Sequence, residues 1–315
     1  MRTVEGRVIR AVGGLFGVLT SEGESFDCRA RGVLKLDGPV LPGDSVTVML
    51  PDGAAEGRGA AAGASILGVA ERKNVFIRPP MANIDTLFAV CSAARPGTSL
   101  LTLDKLLAAA EYRDAAAVIV VTKSDLSEDS ADRLEDIYRR SGYPVFRTGF
   151  GSDGAAGESC GVTELGRFIA ETLPGKTAAF AGASGAGKST LLNRLFPGLG
   201  LDAGEVSRKT GRGRHTTRKV ELYPAPGIPG AFIADTPGFS MIDFTNFDFI
   251  PAEALPDCMP DFADCYPDCR WPDCTHTGEA DCGVAKAVRE GRIAPSRHES
   301  YREMYRLLKG KRKWN

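Results

Sequence analysis

Apolar and polar positions alternate in short blocks over the first 80 residues, with glycine-containing turns between them. Val8-Ile9, Leu15-Phe16, Val18-Leu19 and Phe26 lie in strand-length pieces. A turn at Pro42-Gly43-Asp44 leads into the alternating run Ser45-Val46-Thr47-Val48-Met49-Leu50. Several short strands with few helix signals predict a barrel or sandwich. One reading is an OB-type β-barrel, a fold that often meets nucleic acid through its loops; the other is a plain β module used for packing. Residues 54–64 are alanine- and glycine-rich and nearly free of large side chains, the composition of a loop.

The period changes after residue 80. Apolar blocks at 84–90, 116–121, 144–146, 177–181 and 231–234 have the length of buried strands, and the stretches between them carry helical spacing. Leu103, Leu106, Leu107 and Ala110 form one stripe of a helix over 100–113. Leu134, Ile137 and Tyr138 mark a second helix, and 162–172 reads as a third. Alternating strands and helices predict an α/β domain with a mostly parallel sheet and ligand loops at the carboxyl ends of its strands. Residues 149–161 read as a polar connection. Past 250 the cysteines cluster, and Tyr301, Met304, Tyr305 and Leu308 trace an apolar stripe on a terminal helix. The expected division is a β-barrel over 1–80, an α/β domain over 81–250, and a cysteine-bearing domain with a basic helical tail over 251–315.

Composition narrows the classes. The 315 residues carry a net charge of −1, so attraction to nucleic acid must come from a local patch. No apolar run has the length of a membrane span, and the first residues lack the apolar stretch of a signal peptide. The expectation is a cytoplasmic monomer with no membrane partner. Clustered thiols in such a chain argue for metal rather than a disulfide framework.

Gly182-Ala183-Ser184-Gly185-Ala186-Gly187-Lys188-Ser189 has the spacing of a phosphate-cradling P-loop, with an apolar strand before it and a helix pattern after it. Its glycines let backbone N–H groups converge on phosphate oxygens. Lys188 is expected to bridge the β- and γ-phosphates, and Ser189 to give its hydroxyl to Mg²⁺. Gly182, Ser184, Gly185, Ala186, Gly187 and Thr190 complete this set of candidate nucleotide contacts. Thr122-Lys123-Ser124-Asp125 looks like a guanine-reading element. Asp125 would accept hydrogen bonds from the N1 and N2 edge of guanine, a donor pair that adenine lacks, and Lys123 would cover the ring. Thr122 stands where asparagine is usual, and taken alone the tetrapeptide also fits a solvated turn. Asp125 precedes Gly182 by 57 residues, whereas in ordinary GTPases the guanine reader follows the P-loop. That order predicts circular permutation.

Asp235-Thr236-Pro237-Gly238 follows a further apolar strand. Asp235 is placed to hold Mg²⁺, directly or through water, and Gly238 to offer its N–H to the γ-phosphate. The stretch 207–219 has six Lys or Arg residues and no acid. Thr216 or Thr217 is a candidate Mg²⁺ ligand there, and its arginines could face phosphate; a solvated basic loop is the bland alternative. Phe239 occupies the place of a water-orienting glutamine, which leaves His215 as the nearest candidate catalytic residue. Cys269-x₄-Cys274-x-His276-x₅-Cys282 supplies three thiolates and one imidazole, the donor set of a closed, structural zinc site, with an iron–sulfur site or unrelated thiols as the alternatives. Cys258 and Cys265 are spare by this assignment, either reduced core residues or alternative ligands. Between Arg289 and Lys313 the formal positive excess is six, which suggests contact with RNA; the alternative is a solvated helix packed back onto the zinc domain, and both can hold at once.

Together these landmarks, with Asn83-Ile84-Asp85 and Gly213-Arg214-His215-Thr216-Thr217, resemble the ribosome small-subunit-dependent GTPases of the RsgA/YjeQ family. The resemblance implies an N-terminal OB domain, a permuted GTPase domain and a C-terminal zinc domain. It further implies a factor that binds the 30S subunit and its 16S rRNA late in maturation, is stimulated by that subunit, and hydrolyses GTP to GDP to leave. His215 matches the family's proposed catalytic histidine. The match is looser over 1–80, and the base-backing element expected near residues 147–150 is poorly marked. Two rivals remain at this level: an ATP-driven RNA–protein remodeller, and a nucleotide-gated RNA-binding module with negligible turnover.

Overall fold

The structure is a computed structural model of the chain and describes residues 1–30, 38–51, 63–150, 161–199, 220–235 and 250–310. The chain divides into two compact units, each assembled from separate stretches.

The first unit comprises Met1–Asp85, Leu173–Ala179 and Glu205–Gly238. Its strands β1 (Arg2–Val12), β2 (Leu15–Thr20), β3 (Ser25–Ala30), β4 (Ser45–Leu50) and β5 (Ser65–Val69) are ordered β1-β2-β3-β5-β4. Pairing of β4 back onto β1 closes them into a five-stranded barrel. The length of β1 makes closure possible. Residues 2–7 pair with β4 and residues 6–12 with β2, and a register shift between Val8 and Arg10 bends the strand around the corner. Val8, Val18, Phe26, Val46, Val48, Leu50 and Ile66 fill the interior. The alternation along β4, with Val46, Val48 and Leu50 buried, is the pattern the sequence predicts for a strand with one face inside. A short hairpin follows, β6 (Val75–Ile77) and β7 (Pro80–Ala82).

The second unit comprises Thr86–Thr172, Phe180–Gly204 and Phe239–Asn315. Strands β8 (Thr86–Ser92), β9 (Ala116–Thr122) and β10 (Val145–Arg147) run parallel. Helices α1 (Leu100–Glu111), α2 (Glu128–Arg140) and α3 (Val162–Thr172) join them in α/β order. All seven residues of β8 are buried, so it reads as a continuous apolar run rather than an alternation. Strand β11 (Thr177–Gly182) runs covalently from the first unit into the second and leads to α4 (Lys188–Leu195). Phe180 near its end stacks on Phe88, ring centroids 4.6 Å apart. In the first unit, β12 (Glu221–Pro224) and β13 (Phe232–Asp235) pair antiparallel, and Glu221 pairs with Arg10 of β1. The loop expectations for 54–64 and 149–161 fall largely outside the described residues.

The chain ends in 3-10 turns over 252–268, α5 (Gly283–Arg289) and α6 (Pro295–Lys309). On α6 the predicted stripe packs inward through Tyr301, Met304 and Leu308, with Tyr305 half-buried. Arg297 is one of the cations counted in the basic stretch, yet its side chain is only 1% exposed. Its guanidinium meets Asp104 of α1 at 2.6 Å and Asp261 at 2.8 Å, while Tyr138 donates to the same Asp104 oxygen at 3.1 Å. Replacing Arg297 with methionine leaves two buried carboxylates uncompensated and is expected to destabilise this unit by about 3–5 kcal/mol; urea unfolding of the variant measures it. No helix among the described residues is long and apolar enough to cross a membrane.

Candidate functional site

Loops at the ends of β8, β9, β10 and β11 meet in the second unit. Gly182 ends β11 so close to β8 that a Cβ there would lie 2.3 Å from the Val90 carbonyl oxygen, a clash that excludes every side chain. The loop then turns through Gly185 and Gly187, both at positive φ, and Gly187 caps α4. Lys188 and Ser189 open that helix, where its free N–H groups and dipole favour an anion. Ser184, Gly185 and Thr190 are exposed, Lys188 and Ser189 are half-buried, and Ala186 is buried.

The Thr122–Asp125 loop is tied directly to this turn. Thr122 is fully buried at the end of β9, and its hydroxyl lies in hydrogen-bond reach of the Ala186 and Cys91 carbonyl oxygens. Lys123 has a left-handed backbone, φ 55°, rare for a residue with a side chain. Its ammonium donates to the Gly185 carbonyl at 2.8 Å and the Arg95 carbonyl at 3.0 Å, which holds that conformation. Asp125 follows in a short 3-10 turn. Strand β10 brings Thr148 and Gly149 alongside: Ser124 N–H donates to the Thr148 carbonyl at 3.1 Å, and a Cβ on Gly149 would fall 2.6 Å from an Asp125 carboxylate oxygen. A cleft of 550 Å³ borders Asp125, lined also by Ser124, Glu128, Arg147 and Gly161.

Asp235 closes β13 in the first unit, where its backbone pairs with Glu221. His215, Thr216, Thr217, Gly238 and Phe239 lie outside the described residues.

The second unit also holds the cysteine cluster. The ligand atoms of Cys269, Cys274, His276 and Cys282 all lie within 4.8 Å of one another. His276 Nδ1 is 3.6 Å from the Cys269 sulfur and 3.5 Å from the Cys282 sulfur. A tetrahedral zinc ion with bonds of about 2.3 Å to sulfur and about 2.05 Å to nitrogen separates those atoms by about 3.6 Å, so the donors fit such an ion. Gly283 N–H points at the Cys269 sulfur (3.2 Å) and Ala285 N–H at the Cys282 sulfur (3.4 Å), donors that stabilise thiolate. Desolvation, with Cys282 beside it, pushes the Cys274 thiol up to about 12, a cost that a bound cation offsets. Burial also lowers His276 below the ordinary histidine range and favours the neutral ring a metal needs. Tyr266 stacks on that ring at 5.1 Å. Cys258 and Cys265 are buried outside the quartet, and Arg292 donates to the Cys265 sulfur at 3.4 Å.

With this geometry in place, comparison with known proteins is decisive. The family described as RsgA GTPase matches residues 69–245, and the RsgA N-terminal domain matches 5–57. The chain belongs to the RsgA GTPase family. A relative from Listeria monocytogenes, "Small ribosomal subunit biogenesis GTPase RsgA 2", is 38% identical over 98% of this chain and 99% of its own length. A relative from Geobacillus thermodenitrificans is 39% identical over 94% of each. Among solved structures, YjeQ from Thermotoga maritima superposes with a TM-score of 0.75 at 31% identity, covering 99% of this chain and 100% of its own. YloQ, described as a circularly permuted GTPase, gives 0.73 at 30% identity over 100% of this chain and 98% of its own.

The RsgA architecture therefore appears as the sequence order predicts: a five-stranded barrel, a permuted P-loop domain and a Cys₃His cluster compatible with zinc. Of two further contributors, sequence reasoning locates the first only by region, near 147–150, and misses the second. Gly149 packs against Asp125 without a recognisable motif. Glu279 organises the ligand loop by accepting from the Thr275 hydroxyl at 2.6 Å and from the Thr275, Thr277 and Gly278 N–H groups at 2.9–3.1 Å. Against the cost of its partial burial, those bonds hold its carboxyl down to about 2. A threonine at 275 spaced four residues from an acid at 279 is the only trace of this clamp in the sequence.

Proposed function

We propose that this protein is a GTP hydrolase that binds the 30S ribosomal subunit, assists its late maturation and departs after hydrolysis. The observation that carries the reading is near-full-length similarity to relatives named for small-subunit biogenesis. The P-loop tied to the base-reading loop through Thr122 and Lys123 supports it. In this reading the chain functions as a barrel over 1–80, a permuted GTPase domain over 81–250 and a zinc-binding domain over 251–315. Asp125 selects guanine with Gly149 beside it. Backbone N–H groups from Gly182 to Thr190 receive the phosphates, and Lys188 bridges the β- and γ-phosphates. Ser189 and Asp235, with Thr216 or Thr217, hold the Mg²⁺ that neutralises charge on the transferred phosphoryl group, and Gly238 faces the γ-phosphate. Cys269, Cys274, His276 and Cys282 hold structural zinc. The basic stretches reach 16S rRNA, and the protein works as a cytoplasmic monomer.

Phe239 cannot orient water, so His215 takes that part. Replacing His215 with alanine is expected to lower kcat about 10²-fold and leave GTP affinity intact; unchanged single-turnover hydrolysis removes it from the mechanism. The reading as a whole is tested by GTP and ATP hydrolysis with and without purified 30S particles at fixed Mg²⁺. Strong, guanine-selective stimulation by the subunit is expected. Equal ATP turnover, or none under any condition, contradicts it.

A further inference from the structure

Beside the metal cluster lies a groove of 670 Å³ whose lining includes Cys269, Cys274 and His276. Its character is unlike that of the basic helix that follows. Trp271 stands on its rim with 52% of its surface exposed, the one large aromatic side chain so exposed among the described residues. Tyr305 and Tyr266 supply further aromatic surface, and the Tyr266 hydroxyl has no hydrogen-bond partner among the described residues. Three acids, Glu253, Asp257 and Asp273, border the groove, all exposed and without a cationic partner among the described residues. Arg270, the single cation in the lining, is already committed: it pairs with Asp281 at 3.0 Å and lies over the Trp271 ring at 5.1 Å.

We infer that this groove is a docking site for a lysine- and arginine-rich extended polypeptide segment of a partner protein. Unpaired carboxylates beside aromatic faces make a receptor for ammonium and guanidinium groups, which gain Coulomb attraction and cation–π contact together. The Arg270 guanidinium over Trp271 shows that this ring already accepts a cation on its face. A nucleic-acid strand fits the same groove poorly. Its phosphates would face three unpaired acids, and no free cation in the lining would neutralise them. An uncharged apolar segment would leave those acids desolvated without compensation. The inference rests on the small-subunit reading only for where such a segment is met; the receptor chemistry is the groove's own.

The test uses the zinc-loaded full chain and a fluorescein-labelled peptide of four Lys-Arg-Gly repeats, followed by fluorescence anisotropy near physiological salt. The peptide is expected to bind. Trp271→Ala is expected to weaken it about tenfold, and the pair Glu253→Gln with Asp257→Asn by a similar factor. The charge-neutral pair replaces exposed side chains that are not metal ligands, so it keeps the test sound if Trp271→Ala unfolds the cluster; zinc content checks both. Basal GTP hydrolysis, measured on the same variants, is expected to stay unchanged, so loss of peptide binding and failure of the GTPase reading are told apart. Peptide affinity equal to wild type in the charge-neutral pair overturns the inference. So does tighter, Trp271-dependent binding of decauridylate, which would make the groove an RNA site. Peptide binding seen only after residues 311–315 are deleted overturns it in favour of the chain's own basic tail.

Discussion

Replacing Asp125 with asparagine is expected to lower affinity for GTP about 10⁴-fold, and xanthosine triphosphate is expected to recover most of it. In the proposed reading the carboxylate accepts from the N1 and N2 donors of guanine. An amide in its place turns one acceptor into a donor and sets it against a donor of the base. Xanthine carries an oxygen at the position of the guanine N2, so the amide regains a partner. The surroundings favour a clean result. Asp125 is exposed in a turn whose neighbour Ser124 donates its N–H to the Thr148 carbonyl, and Gly149 lies against the carboxylate, which leaves the side chain open to a base while its backbone is held. Isothermal titration with the two nucleotides measures the effect. Equal GTP affinity in wild type and variant would remove Asp125 from base recognition.

Removing the metal is expected to have the larger structural effect. Zinc bound by four such ligands contributes on the order of 10–16 kcal/mol to local folding in small zinc modules. The residues around the Cys269–Cys282 quartet form short 3-10 turns and one seven-residue helix, too little regular structure to hold themselves without it. Chelation, or Cys274→Ser, is expected to abolish protection from amide hydrogen exchange over 252–289. The consequence should spread to α6, because Tyr301 donates to the Thr275 carbonyl at 2.6 Å and packs on Phe262. Strand β9 and the P-loop, built on their own strands, are expected to keep most of their protection. Hydrogen exchange read by mass spectrometry, with and without chelator, separates these segments. Unchanged protection over 252–289 would mean that the cluster is not a structural metal site.

The Thr122–Asp125 loop holds a departure that looks like a defect in the sequence. Thr122 replaces the usual asparagine, which weakens the motif as a pattern. In the fold its hydroxyl donates to the Ala186 carbonyl, which links the Thr122–Asp125 loop to the phosphate loop. Lys123 supplies a second link through Gly185. Neither bond has a signature in the local sequence, because both partners lie more than sixty residues away.

The amino-acid sequence alone missed the barrel's fifth strand over Ser65–Val69, the short hairpin after it and the Glu221–Pro224 strand. It determined four of the barrel strands, the alternation of strands and helices in the α/β domain, the P-loop, the permuted order of its motifs and the cysteine–histidine quartet. Each of these is a local demand of the backbone: glycine where N–H groups must converge, apolar runs where strands are buried on both faces, and ligands spaced to close around one ion. Only the tertiary structure decided what depends on distant partners. It made Arg297, one of the cations counted in the basic stretch, a buried clasp with Asp104, 193 positions away. It set Gly149 against Asp125, and it placed Glu253, Asp257 and Asp273 around the groove that Trp271 rims, without a cationic partner among the described residues. Charge and packing act through space, and the order of residues along a chain carries that distance only once the chain has folded.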